Sequence, residues 1–288
     1  MLIGAHVSTS GGLEKSVERG LERGCDAIQI FNQSPRMWRP PAYDESNFAA
    51  FRDAMAASAI KSVVIHAIYL INPGSTDPGL AKKSLDSLAH ALRVGDAIDA
   101  DGVVLHPGHV KEPDTYSAAI KRVAATIKKA LGNSESCRLL LENAAGKKAI
   151  GVKFDHLHDL IDLLDGDDRV GVCVDSCHSH AAGYDVRTFD GVKEVVDELD
   201  RVVGLDRLHA LHLNDSRDEY ASHRDRHENL GDGFIGKTGM QAFLSEPRFE
   251  GLPVLMEVPG LAKDGPGEAD VKLARKLREQ GLKARAKK

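Results

Sequence analysis

Cysteine is scarce in this chain: Cys25, Cys137, Cys173 and Cys177 are the only four among 288 residues, and no two stand as C-x-x-C. That excludes a dense disulfide framework and points to a reducing, cytoplasmic setting. Long apolar runs are missing too. The opening Met1-Leu-Ile-Gly-Ala-His6 has no basic n-region and is too short for a signal peptide or a membrane span, so it reads as a first strand. There is no low-complexity tract, no linker, no short-period repeat and no glycine-rich nucleotide fingerprint. Nor is there a surplus of positive charge. The formal net charge of −5 argues against a nucleic-acid partner for the bare chain.

The composition that remains, 42% hydrophobic and 28% charged, supplies a large core and a soluble surface. Apolar, β-branched runs recur at near-regular intervals: Leu2 to His6, Ala27 to Phe31, Ser62 to His66, Gly102 to His106, Arg138 to Glu142, Val170 to Asp175, Leu208 to Leu213 and Pro253 to Val258. Between them lie segments with apolar residues at three- and four-residue spacing, including Gly12 to Leu21, Leu80 to Ala97, Thr115 to Leu131, Phe154 to Leu164 and Gly191 to Val203. Strand then helix, eight times without a break in composition, predicts an α/β fold made of a single (β/α)₈ barrel, the TIM-barrel architecture, over residues 1–288. A doubly wound open sheet is second choice because the nucleotide fingerprint is lacking. The basic stretch at 279–288 is expected to fray. Two connections exceed ordinary length, Asn32 to Pro41 after strand 2 and Asn214 to Thr238 after strand 7, and long loops on a rigid scaffold commonly carry function.

In such a barrel the site lies at the C-terminal ends of the strands. Strands 3 to 8 end in His66, His106, Glu142, Asp175, His212 and Glu257, at spacings of 40, 36, 33, 37 and 45 residues, each about one strand-helix unit. The following loops add His178 and the pair Asp225-Arg-His227, whose i, i+2 spacing turns both side chains one way in an extended segment. Five imidazoles and four carboxylates thus converge on one basin. Imidazole is a poor ligand for hard cations, so the mixture suits Zn²⁺ or Mn²⁺ rather than Ca²⁺ or Mg²⁺. Catalytic zinc commonly takes three protein ligands and keeps an open position, so nine ligands suggest up to three ions, with one carboxylate bridging a close pair. Three divalent ions would carry the formal charge from −5 to +1 and concentrate the gain at one place. Glu142 is the most telling member, because Leu139-Leu-Leu141 before it would make an unpaired buried carboxylate costly. Cys173 and Cys177 are read as small core fillers, and His90, His156, His158, His180 and His223 as structural or surface histidines. His6 is placed to touch substrate or the outer side of a ligand, and His109 to support a ligand from outside.

The motifs Gly4-Ala-His-Val-Ser8, Tyr69-Leu-Ile-Asn72, His106-Pro-Gly108, Leu141-Glu-Asn143, Val172-Cys-Val-Asp-Ser-Cys-His178, Ala181-Ala-Gly-Tyr-Asp185, His212-Leu-Asn-Asp215, Asp225-Arg-His227, Leu230-Gly-Asp-Gly233 and Met256-Glu257 span nearly the whole chain. In them the chain resembles the endonuclease IV family of apurinic/apyrimidinic (AP) endonucleases, zinc-dependent DNA repair enzymes on a (β/α)₈ barrel. The resemblance implies three Zn²⁺ ions, with Mn²⁺ an alternative occupant. One ion would be held by His66, His106 and Glu142, its partner by Asp175, His212 and Glu257 with Glu142 bridging, and the third by His178, Asp225 and His227. It implies Glu142 and Glu257 as the catalytic carboxylates, and Arg36, Tyr69 and Leu70 as side chains inserted into the base stack at the lesion. The implied reaction is hydrolysis of the phosphodiester 5′ to an abasic site in duplex DNA, leaving a 3′-hydroxyl and a 5′-deoxyribose phosphate, with removal of 3′-blocking groups besides. A monomer with no membrane and no obligate protein partner is expected. The chain departs from the family at Ala67-Ile68, where a polar pair is more usual, and after Glu257. The rival expectations are a metal-dependent sugar isomerase or epimerase on the same barrel, and a non-catalytic DNA-binding metalloprotein. Arg187, Arg217, Arg224, Arg226 and Lys237 are the loop cations available to phosphates.

Overall fold

The computed structural model describes residues 1–111 and 113–287. Eight parallel strands close into a barrel: β1 (Leu2–His6), β2 (Ala27–Phe31), β3 (Ser62–His66), β4 (Gly102–Leu105), β5 (Leu139–Glu142), β6 (Val170–Asp175), β7 (Leu208–His212) and β10 (Pro253–Met256). Each pairs with its sequence neighbours, and β1 closes the ring against β10. The predicted (β/α)₈ barrel is the observed fold. Two expected strand ends fall just outside the ladder, since His106 follows β4 by one residue and Glu257 follows β10 by one.

The period of two along a strand divides the core. One set, including Ile28, Val63, Ile65, Val103, Leu139, Leu141, Val172, Leu211 and Val254, faces the helices and joins the main hydrophobic cluster. The other set is a small separate cluster taking one residue per strand: Leu2, Ala27, Val64, Val104, Leu140, Cys173, Ala210 and Leu255. This is the layer that plugs the barrel interior. Two residues further along, on the same inward face, stand Gln29, His66, His106, Glu142, Asp175, His212 and Glu257. The apolar plug is therefore the floor of the polar basin.

The surrounding helices begin where their caps predict. Asp44 and Asn47 form a reciprocal capping box for α2 (Glu45–Ala56), and Asp77, Thr115 and Thr188 cap α3 (Pro78–Ala97), α4 (Tyr116–Leu131) and α7 (Phe189–Val202). The remaining helices are α1 (Glu14–Glu22), α5 (Phe154–Leu163), α6 (Ser176–Ala182), α8 (Gly236–Leu244) and α9 (Glu268–Arg285). No helix among the described residues is long and apolar enough to cross a membrane.

The expected fraying of 279–288 is corrected in part. Helix α9 runs unbroken to Arg285, whose guanidinium lies 5.1 Å over the Phe189 ring and 3.1 Å from Glu246 Oε2, while Lys288 lies outside the described residues. The tail pattern misled because its basic residues read as solvated, whereas an arginine beside an aromatic ring and a nearly buried carboxylate is an anchor. The long segment after β7 also has structure: β8 (Asp215–Ser216) pairs antiparallel with β9 (His227–Glu228) and brings its two ends together.

Candidate metal centre

Glu142 is fully buried at the end of β5, at the middle of the basin. Its Oε2 lies 3.4 Å from His66 Nε2 and 3.1 Å from His106 Nε2, and its Oε1 lies 2.9 Å from His212 Nδ1 and 3.2 Å from His178 Nδ1. Burial alone would raise this carboxyl, but the His106 and His212 imidazoles hold it well below the usual range. A carboxylate ringed by four imidazoles is therefore ionised despite complete burial.

Eight of the nine predicted ligands gather into three sets whose ligand atoms lie within 4.8 Å of one another: His66, His106 and Glu142; Glu142, Asp175 and His212; and His178, Asp225 and His227. Glu142 belongs to two of them. The ninth, Glu257, meets the second set through Oε2, 3.5 Å from His212 Nδ1. Several of these atoms are buried and make no hydrogen bond: His66 Nε2, Glu142 Oε2, His178 Nε2 and His227 Nε2. Buried polar atoms are nearly always satisfied, so four orphans within these sets fit the ligands of cations. Nitrogen and carboxylate oxygen in threes is the donor set of zinc.

A fourth grouping brings Cys177 within reach of Asp175 and His227. Burial pushes the Cys177 thiol up to about 12, and its Sγ sits 3.6 Å from the Arg226 carbonyl, to which it donates. In the metal-free protein burial thus favours the neutral thiol.

The sequence holds these groups rigidly. Asp175 ends β6 and also caps α6, accepting from His178 N–H at 2.8 Å, so one carboxylate sets the start of the helix that carries another ligand. Asn143 receives the Asp175 N–H at 2.7 Å, and its own carbonyl faces His178 Nδ1 at 2.9 Å, leaving Nε2 for the third set. Asn214 donates to Asp175 Oδ2 at 2.6 Å and accepts from Glu257 N–H at 2.9 Å. Asp215, fully buried, accepts backbone N–H groups from Ser216, Gly231, Gly233, Ile235 and Gly236, and so folds back the loop that carries Asp225 and His227. A side chain at Gly233 would collide with the Ser216 carbonyl and the Asp215 carboxylate.

Sequence reasoning missed Gln29. Its amide touches His212, Glu257 and His6. The strand-end rule passed over it because β2 continues to Phe31, but it lies two residues beyond the interior Ala27, the offset at which every inward candidate ligand occurs. Asn143 and Asn214 were visible only as letters inside motifs.

His6 Nδ1 lies 3.2 Å from Gln29 Nε2 and 4.0 Å from Glu257 Oε1, and burial lowers its pKa to about 4 against the pull of Glu257. His109 pairs its backbone with Ala149 and shares a cavity of about 380 Å³ with His106 and Asp225. Tyr69 is 60% exposed and sets its ring edge-on against Phe31 and His66, both at 5.3 Å. Leu70 is half-buried against the main core, whereas Arg36 is exposed on a loop held by Gln33, whose Nε2 donates to the Met37 carbonyl at 2.9 Å. A second cavity, of about 790 Å³, opens between the loops after β1, β2 and β10 and reaches His6, Tyr69 and Glu257. Of the five loop cations, Arg187 pairs with Asp185 and stacks on Tyr220, Arg217 pairs with Glu228, and Arg224 and Arg226 both pair with Asp218. The arginine ends of these pairs are exposed, and pairs at a surface contribute little.

Residues 17–280 match the family model described as a xylose isomerase-like TIM barrel. A probable endonuclease 4 of Methanoculleus marisnigri is 40% identical over 262 residues, covering 90% of this chain and 93% of that protein. One from Halothermothrix orenii is 36% identical over 280 residues, covering 96% and 99%. The crystal structure of endonuclease IV from Thermus thermophilus superposes with a TM-score of 0.85 at 36% identity, covering 97% of this chain and 100% of that one. A D-tagatose 3-epimerase-like protein superposes at 0.71 with 18% identity, which is a likeness of fold.

Proposed function

The chain belongs to the endonuclease IV family, and from that membership and the site we propose that it is a zinc-dependent hydrolase of duplex DNA that cuts the phosphodiester 5′ to an abasic site. The observation that carries the reading is the convergence of three sets of ligand-type atoms around Glu142, four of them buried and without a hydrogen-bond partner. His66, His106 and Glu142 would hold one ion, Asp175, His212 and Glu257 its neighbour with Glu142 shared, and His178, Asp225 and His227 the third. Zinc is the ion we favour, with Mn²⁺ an alternative occupant. Bound zinc supplies a nucleophilic water at neutral pH and offsets negative charge at the reacting phosphate.

The chain's own residues do the rest. Glu142 and Glu257 would hold the attacking water and take its proton. Attack on phosphorus breaks its bond to the 3′ oxygen, which leaves as the 3′-hydroxyl, and the phosphate stays on the 5′ side of the abasic sugar. The same chemistry would remove 3′-blocking groups. Selectivity would follow from burial: His66, Glu142, Asp175, His178 and His212 are buried in the barrel mouth, and a sugar without a base to unstack is cheaper to extrude than an intact nucleotide. We assign Tyr69, Arg36 and Leu70 to the gap left in the stack, His6 and His109 to the walls of the two cavities beside the metals, and the exposed, paired loop arginines to backbone phosphates. A monomer acting in the cytoplasm accords with this reading.

The sugar epimerase alternative shares the barrel but gives no use to His178, Asp225 and His227. A duplex carrying one abasic site, incubated with the purified protein with and without chelator, tests the proposal. Chelator-sensitive incision is expected; binding without cutting, or neither, would defeat it. Replacing Tyr69 with alanine is expected to weaken binding of the abasic duplex by roughly 10-fold or more, the loss of one stacking aromatic, with zinc content unchanged. Zinc loss in that variant, read by metal analysis, would make Tyr69 a structural residue instead.

A further inference from the structure

Gln29 is the β2 member of the inward ring, it is fully buried, and its amide spends both N–H groups and one acceptor position of its oxygen on the site. One N–H donates to Glu257 Oε1 at 2.6 Å, the other points to His6 Nδ1 at 3.2 Å, and the carbonyl oxygen lies 2.8 Å from His212 Nε2. The amide cannot be reversed, because its oxygen would then face the Glu257 carboxylate at contact distance, acceptor against acceptor. With that orientation fixed, His212 Nε2 must carry a hydrogen.

The consequence reaches the metal site. If Nε2 is the donor, the free lone pair of His212 is on Nδ1, and Nδ1 is the atom that converges with Glu142 Oε1 at 2.9 Å, Glu257 Oε2 at 3.5 Å and Asp175 Oδ2 at 3.8 Å. On Glu257 the same amide occupies Oε1 and leaves Oε2 inward. We propose that Gln29 is a positioning residue that selects, with one side chain, which nitrogen of His212 and which oxygen of Glu257 face the second ion. Outer partners of metal-bound imidazoles work this way. Here one amide serves two ligands, so its loss weakens one ion and spares the others.

This inference rests on the metal reading of the site, and the experiment separates the two. Zinc-loaded wild type and Gln29→Met are titrated with a competing chelator while bound zinc is counted. In Gln29→Met one ion is expected to leave at about 10- to 100-fold lower chelator concentration, with the others following the wild-type curve. At saturating zinc, kcat on the abasic duplex falls while KM holds, because a fully buried residue does not touch DNA. Gln29→Glu keeps an acceptor for His212 but sets a carboxylate against Glu257, and the same ion is expected to weaken. Nitrogen-15 spectra of loaded wild type should show His212 bound through Nδ1 with a proton on Nε2.

Wild type that takes up no zinc defeats the metal reading itself. Wild type that takes up zinc, with both variants matching it, defeats this inference alone. Loss of all ions together with a lower melting temperature of the metal-free protein overturns it in favour of simple packing, and so does an Nε2-bound His212.

Discussion

Glu142→Gln is expected to lower kcat/KM on an abasic duplex by on the order of 10³-fold or more while the protein stays folded. The size follows from what one preorganised charged group contributes in a water-excluded site, about 4 kcal/mol of barrier. No other residue among the ligands belongs to both of the sets built around it, and its two oxygens together face four imidazoles. Glutamine keeps the volume, so the Leu139-Leu-Leu141 strand and its pairing with β4 and β6 are undisturbed. What changes is the charge: an amide is a weak ligand, and its NH₂ would point at nitrogens that need to stay free for a cation. Two bound ions should therefore weaken together, and the third, held by His178, Asp225 and His227, should remain. Steady-state kinetics with metal counting and circular dichroism on the same sample check this. Near wild-type turnover with a full metal complement would remove Glu142 from the mechanism.

The barrel was legible because its signal is redundant. Eight apolar runs spaced by one strand-helix unit allow few other folds, and an error of one residue at His106 or Glu257 changes nothing in the count. The candidate ligands stood out because a histidine or carboxylate closing an apolar strand is expensive without a purpose, and eight of the nine do converge. Other parts were hidden for physical reasons. Gln29 is neutral and sits within its strand, so neither charge nor a strand end marks it; only the two-residue offset from Ala27 does, and that offset becomes meaningful once the inward face is known. Asp215 looks like one more loop acid, yet it organises the return of the Asp225 loop through contacts 16 and more residues away. The last helix was misjudged because Arg285 finds Phe189 and Glu246, partners that sequence proximity does not reveal.

Removing the metals should produce the second large effect, with a pH dependence of definite sign. A single site filled at 1,000 times its dissociation constant stabilises a fold by about 4 kcal/mol. For a chain of this size that is roughly 10 °C in melting temperature, and several sites add to it. In the metal-free protein, burial disfavours the charged imidazoles, but Asp175 and Asp225 hold His178 well above its usual range, and Asp225 with Asp175 raises His227 to about 9. A histidine whose folded pKa is raised contributes stability that is complete below the unfolded value near 6.5 and is lost as pH climbs through the folded value. The metal-free protein should therefore soften between about pH 7 and 9. The loaded protein moves the opposite way, because a cation must displace those same protons and binds more tightly as they become easier to remove. The gap in melting temperature between loaded and metal-free protein is thus expected to widen from pH 6.5 to pH 9. Calorimetric scans of protein freed of metal by dialysis, with and without added zinc, measure it directly. A gap that stays constant across that range would mean that His178 and His227 do not hold the ion, and a gap of zero would mean that the nine residues form a polar core and nothing more.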